Sequence, residues 1–204
     1  MGSLFQIDLG DRTVWRWAGL QNYTALFSDP AVVESIWNTV LYSAMTIIPS
    51  LVLGLGLALL VASFRRARPL LQVLLFLPFA TNMVAMAVVF RWIFANRGGF
   101  VNEALALVGL APINFLGDSR YALITVALVG IWRLTSFVMI FYLAGLTSIP
   151  TALYEASAAD GLGPWSTFRR VTLPLLRPTT VFATVMAVLQ AVQVFDTVNV
   201  LTGG

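Results

Sequence analysis

Long, largely apolar runs alternate with short polar ones along this chain. The first run, "NTVLYSAMTIIPSLVLGLGLALLVAS" from Asn38 to Ser63, carries no charge over 26 residues, and a helix needs about 20 apolar residues to cross a bilayer. Similar runs extend from Leu70 to Phe94, from Tyr121 to Ile149 and from about Leu175 to Val198. Polar or mixed segments separate them: residues 1–37, "FRRAR" at 64–68, a loop at 95–119, and residues 150–173. The pattern predicts an all-α fold, a polytopic membrane helix bundle with four transmembrane helices in a single domain.

Local signals refine the boundaries. Asp29-Pro30 opens a helix, with Asp as N-cap and Pro in the first turn. Residues 1–37 mix Trp, Tyr and Phe with polar residues, which predicts an extracytoplasmic, interfacial segment. Pro49 is tolerable inside a membrane helix, and Gly54 and Gly56 are expected to admit a close neighbour. Asn82, four residues past Pro78, marks a break in the second span. The loop at 95–119 contains Gly98-Gly99 and a short amphipathic helix, "FVNEALALVGL". Short arginine-rich loops stay cytoplasmic. "FRRAR" therefore lies inside, and alternation places 150–178 inside with Arg169, Arg170 and Arg177. Arg12, Arg16, Arg97 and Arg120 fall outside.

Composition removes several classes of chemistry. Of 204 residues 59% are hydrophobic and 10% charged, against about 25% charged in a soluble domain. Mean hydropathy is +0.87. There is no Cys, no His and no Lys, so thiolate or imidazole metal sites and Cys- or His-based catalysis are absent. No paired carboxylates suggest a catalytic or metal site. A net charge of +3 without a basic stripe gives nucleic acid no footprint. No GxxxxGK[ST] loop cradles a nucleotide, so the chain carries no cofactor of its own.

The segment "YEASAADGLGPWSTFRRVTLPLLRP", Tyr154 to Pro178, breaks the apolar pattern. Pro150 starts a helix, "TALYEASAAD" is rich in the best helix former, and Asp160-Gly161 is a turn signal. Gly163-Pro164 restarts a helix, with Trp165 and Phe168 on one face. This helix–turn–helix bracket, followed by a span, suits insertion of a slim helix into a groove of a partner protein. Packing of the same bracket on its own bundle suits it equally.

Glu155-Ala156-Ser157, three residues, Gly161, nine residues, Val171, Thr172, Leu173-Pro174 resembles the EAA motif of permease subunits of bacterial ATP-binding cassette (ABC) importers. Ser157 replaces the usual Ala and Val171 the usual Ile, with spacing intact. "GLQNYTALFSDP", "YLAGLTSIPTALYEASAADG" and "FDTVNVLTGG" resemble the carbohydrate-uptake branch, the maltose-transporter type, over about Gly19 to Gly204. The resemblance implies six core spans, so one is expected before Trp15 and one after Gly204, the chain being truncated at both ends. It implies a bacterial cell-membrane location and partners: ABC ATPase subunits that bind ATP and Mg, a second homologous permease subunit, an extracytoplasmic solute-binding protein met by outer loops such as 95–119, and a sugar substrate. It makes Glu155, Ala156, Ser157, Asp160, Gly161, Leu162 and Pro164 the ATPase-coupling surface.

Polar groups at mid-bilayer depth are costly, about 2.5–3.5 kcal/mol for Arg on insertion scales, and should face a cavity or a partner. Asn82, Arg133, Thr135, Ser136, Gln190 and Gln193 are such groups. Gln190 and Gln193 share a helix face that Asp196 extends. Amides and hydroxyls suit sugar hydroxyls, and Trp132 or Phe137 suits a sugar ring, so Gln193, Gln190, Thr135, Phe137, Trp132 and Asn82 form the candidate substrate pathway. The resemblance adds support near Gln193, Thr135 and Phe137. Interhelical hydrogen bonding is the alternative for each, and Arg133 reads as structural unless the substrate is anionic. A secondary transporter would need intramembrane carboxylates or ion sites, and Asp196 alone lies near a span. An intramembrane enzyme has no catalytic constellation to draw on.

Overall fold

The computed structural model describes residues 5–7, 15–17, 20–64 and 66–193. The chain divides into two compact units, Met1–Leu41 and Tyr42–Gly204. In the first, β1 (Phe5–Ile7) and β2 (Trp15–Trp17) pair antiparallel, with Phe5 opposite Trp17 and Ile7 opposite Trp15. This ribbon is absent from the all-α expectation. Its three-residue strands are too short to leave a period-two signal. Helix α1 (Gln21–Ser28) follows. The Asp29 carboxylate then accepts the amide of Ala31 at 2.9 Å, and α2 (Pro30–Ser63) begins where the Asp-Pro signal places it.

The second unit is built around α6 (Ser119–Ser148). Val126, Val129, Val138, Met139, Tyr142 and Leu143 of this helix are buried on several sides, so it is apolar almost all round rather than on one stripe. Its neighbours meet it through small residues. A Cβ on Gly54 would lie 2.8 Å from Val138 Cγ1, and one on Gly145 2.6 Å from Thr179 Oγ1. Gly56 faces open space and takes no part in this packing, contrary to the expectation from sequence. On α10 (Arg177–Val192) the buried residues are Ala183, Ala187 and Ala191, one stripe at four-residue spacing that lets the backbones approach.

The contacts also fix direction. Tyr42 and Thr46 meet α6 at Gly130, and Gly54 meets it at Val138, so α2 and α6 run the same way. Phe141 meets Phe182 and Gly145 meets Thr179, so α10 runs opposite. Phe79 meets Phe137 and Phe90 meets Trp132, so the crossing between α2 and α6 also runs opposite. Four apolar segments therefore alternate in direction, as successive bilayer crossings must.

Two of the four are bent. The second is not one helix from Leu70 to Phe94 but two, α3 (Arg68–Ala80) and α4 (Met83–Ile93), at 87° to each other. Thr81 and Asn82 are extended at the corner. Asn82 caps α4, its Oδ1 accepting the Ala85 amide at 3.2 Å. The fourth bends by 63° at Leu176. Before it lie α7 (Thr151–Ala159), α8 (Pro164–Thr167), a π-helical turn (Phe168–Thr172) and α9 (Leu173–Leu175). Of the predicted fourth span, residues 194–198 lie outside the described residues. Exposed Val52, Leu60, Val73, Leu77, Val88, Leu128, Val181 and Val185 form the apolar exterior that a bilayer covers.

The loop between the second and third crossings is ordered by one side chain. Asn102, on α5 (Phe100–Leu107), is buried. Its Nδ2 donates to the carbonyls of Ala95 at 3.0 Å and Ile113 at 2.9 Å, and its Oδ1 accepts the Ile113 amide at 2.8 Å. The helix stops at Leu107 rather than Leu110, and Gly109 turns the chain with a φ of 78°.

Candidate functional sites: the bracket and the mid-span belt

The bracket closes on itself through its turn. After α7, the amide of Gly161 donates to the Ala158 carbonyl at 3.0 Å and that of Leu162 to the Ser157 carbonyl at 3.0 Å. This is a Schellman cap, which needs a left-handed residue at its corner, and Gly161 supplies it with a φ of 73°. Gly163-Pro164 then starts α8 as the sequence predicts. The Trp165 and Phe168 rings stack with centroids 5.5 Å apart.

Hydroxyls tie α7 to the second arm. Ser157 is buried, donates to the Tyr154 carbonyl at 2.8 Å and accepts from Thr167 at 3.4 Å. Thr172 donates to the Tyr154 hydroxyl at 3.4 Å. So Ser157, where the motif usually has Ala, faces inward. Glu155, Ala156, Asp160 and Gly161 are exposed, and a Cβ on Gly161 would meet nothing. Leu162 and Pro164 line an open hollow of about 550 Å³, together with Leu59 and Ala62 of α2 and Leu146 of α6. The outer surface of the bracket is thus slim, small-residued and marked by the exposed carboxylates of Glu155 and Asp160, while its inner surface faces the hollow beside the ends of two crossings.

The mid-span belt gathers around α6. The Phe79 and Phe137 rings stack at 4.4 Å, and the Arg133 guanidinium carbon lies 4.9 Å from the Phe79 centroid. Phe137 also meets Phe141 edge-on at 4.8 Å. Carrying the Phe141–Phe182 and Gly145–Thr179 contacts along the two antiparallel helices brings Gln190 level with Arg133. The corner at Thr81–Asn82 lies one turn from Phe79, near the same level. Non-helical backbone at bilayer depth is tolerated where it is buried in protein or lines a cavity.

The predicted pathway residues do not form one patch. Arg133 and Phe137, one turn apart, share a side of α6 with Phe79. Trp132 packs edge-on against Phe90 at 5.1 Å and is partly exposed. Thr135, two residues from both Arg133 and Phe137, points to the other side of the helix. It is buried, and its hydroxyl has no hydrogen-bond partner among the described residues. Gln190 is half-buried; Gln193 is exposed and sits in the turn just past α10, so the shared amide face is only partly helical. Asp196 lies outside the described residues. Asn82 is exposed and engaged as a cap. Among the described residues no group of His, Cys, Asp or Glu could hold a metal. Sequence reasoning missed the Arg133–Phe79 contact, whose signal was an aromatic three residues before the predicted break at Asn82.

Four alternating crossings, one sharply broken, with a two-armed handle between the third and fourth, define a multi-pass transport-type bundle. Residues 50–204 match the family described as the binding-protein-dependent transport system inner membrane component, and the chain belongs to that family. It is an inner-membrane protein. It is 37% identical over 203 residues to the sulfoquinovosyl glycerol transport system permease protein of Agrobacterium fabrum, covering 99% of this chain and 66% of that one. It is 32% identical over 186 residues to the trehalose/maltose transport system permease protein of Thermococcus litoralis, covering 91% and 63%. The chain spans just under two thirds of the length of these curated relatives. Among solved structures, a bacterial alginate ABC transporter in complex with an alginate pentasaccharide-bound periplasmic protein superposes with a TM-score of 0.79 at 25% identity, over 90% of this chain and 68% of that one.

Proposed function

We propose that this chain is a membrane-spanning permease subunit of an ATP-driven ABC importer for a sugar or related solute. The observation that carries the reading is the bracket: a slim exposed helix with Glu155 outward, a Schellman corner at Gly161, and an inner face that lines a hollow together with Leu59 and Ala62 of α2 and Leu146 of α6. In the mechanism, residues 150–173 lie at the cytoplasmic face as the coupling loop, and α7 sits in a cleft of a separate ATPase subunit. Glu155 contacts that subunit and Gly161 holds the corner. ATP-driven closure of the ATPase pair moves the bracket, which is covalently continuous with α6 and α10. The two crossings then shift between outward- and inward-open states, each ligand biasing a pre-existing equilibrium.

Hydrolysis belongs to the partner; this chain supplies the path. A second homologous permease subunit completes the path, and a solute-binding protein delivers the solute to the outer face, as the alginate complex and the family's description suggest. Gln190, Gln193, Phe137, Trp132, Thr135 and Asn82 remain the candidates for solute contact, with Gln190 and, one turn away along α6, Phe137 favoured. The test is uptake by the full-length protein reconstituted in vesicles with its permease and ATPase partners and binding protein. Uptake should require hydrolysable ATP. Uptake that survives an inactive ATPase but collapses with the ion gradient would make the protein a secondary transporter.

A further inference from the structure

We infer that Arg133 recognises an anionic substituent on the transported solute: a carboxylate, sulfonate or phosphate. The inference rests on the importer reading and names the solute's class.

Arg133 stands midway along α6 and is charged at any pH a cell reaches. Helices α3, α4, α6 and α10 contain no acidic residue, and α2 contains only Glu34. No donor of Arg133 has an acceptor among the described residues, and its Nε is fully buried without one. Structural polar groups in this protein are treated differently: Asn102 uses both its amide nitrogen and its oxygen on backbone groups. Its guanidinium lies over the Phe79 ring, and the Tyr42 side chain of α2 also interacts with it electrostatically. A cation over an aromatic face is held without consuming its N–H groups, which lie in the guanidinium plane. Phe79 is itself held by its stack on Phe137. The side chain is therefore positioned while its two terminal nitrogens stay unpaired among the described residues, the condition for two parallel hydrogen bonds to a planar or tetrahedral oxyanion. The level of that edge is the level of Gln190 and of the broken backbone at Thr81–Asn82, where a solute would have polar groups to meet on more than one crossing.

The measurement is direct solute binding to the purified permease–ATPase complex without the binding protein, whose own selectivity would mask the effect. Matched probes are methyl glucuronide against methyl glucoside, and glycerol 3-phosphate against glycerol. The charged member of at least one pair should bind roughly tenfold or more tighter. Arg133→Gln should abolish that difference, and Arg133→Lys should keep part of it. Equal binding of both members by the wild type, or an unchanged preference in Arg133→Gln, would overturn the inference. So would an equal loss for charged and neutral probes, the result expected if a carboxylate of a partner subunit pairs with Arg133. If Arg133→Gln does not assemble, Arg133→Lys decides alone: loss of all charge preference in an assembled complex refutes the role. Absence of ATP-driven uptake of any solute by the wild-type complex would instead refute the importer reading.

Discussion

Asn102 and Ile113 hold each other twice, Nδ2 donating to the Ile113 carbonyl at 2.9 Å and the Ile113 amide donating back to Oδ1 at 2.8 Å. A third bond to Ala95 closes the loop from its other end. Asn102→Leu removes this clamp and leaves the Ile113 and Ala95 groups without partners, at a cost of about 1–3 kcal/mol for each that stays buried. The expected outcome is faster amide exchange and proteolysis across 95–118, with the crossings themselves unaffected. Protection unchanged from wild type would show that α5 is held by its apolar face instead.

Gly145 and Gly56 make a matched pair on the same helical background. Gly145→Ala places a methyl 2.6 Å from Thr179 Oγ1 and 2.9 Å from Leu176 Cδ2, and overpacking of this kind costs about 1–3 kcal/mol. Gly56→Ala meets nothing and should be neutral or stabilising by up to about 1 kcal/mol. Thermal stability of the purified protein in one detergent separates them; equal shifts would refute the close approach of α6 and α10.

At Gly161 the constraint is conformational, since its surroundings are empty. Gly161→Val forces a β-branched residue into the left-handed region, at about 1–2 kcal/mol or more, whereas Asn visits it with less strain. In the reconstituted importer, Val should insert normally yet hydrolyse ATP without matching uptake, and Asn should retain most coupling. A Val variant that couples normally would remove the corner from the mechanism.

Glu155 and Ser157 sit two residues apart and face opposite ways. Glu155→Gln, at an exposed site, should change stability by no more than about 0.5 kcal/mol while weakening co-purification of the ATPase. Ser157→Ala loses the buried bonds to Tyr154 and Thr167 and should cost about 1 kcal/mol with the ATPase still bound. The reverse pattern in pull-down and melting would mean that the bracket presents its other face.

Cap loss at the corner is a separate matter. Asn82→Ala should destabilise the start of α4 by about 1 kcal/mol, and Asn82→Ser should restore most of it. Exchange rates at Met83–Met86 report this directly.

The crossings could be read from sequence because lipid imposes a length and a polarity that no loop can imitate, and the Asp29-Pro30 and Gly161 boundaries because each needs a particular residue. The angle at Thr81–Asn82 could not. Pro78 and Asn82 announce a break, but the apolar run continues across it, and the direction of the second leg is set by where Phe79 and Phe90 find rings on α6. Asn102 escaped notice for a related reason: its partners are main-chain carbonyls, which every sequence has everywhere. The candidate pathway residues do not share one face, because residues two apart in a helical run look adjacent on paper and face away from each other in space. The orientation of Thr135 relative to Arg133 and Phe137 follows from that geometry alone.

The hollow under the bracket bears on how movement could pass through it. A beam resting on solid packing would press straight down on the crossings below. This one is undercut, so under the proposed importer reading a push at its outer helix would travel to the two ends, into Pro150 at one and the π-helical turn at the other. Those ends lead to helices of opposite direction, and a single displacement there would turn one crossing against the other.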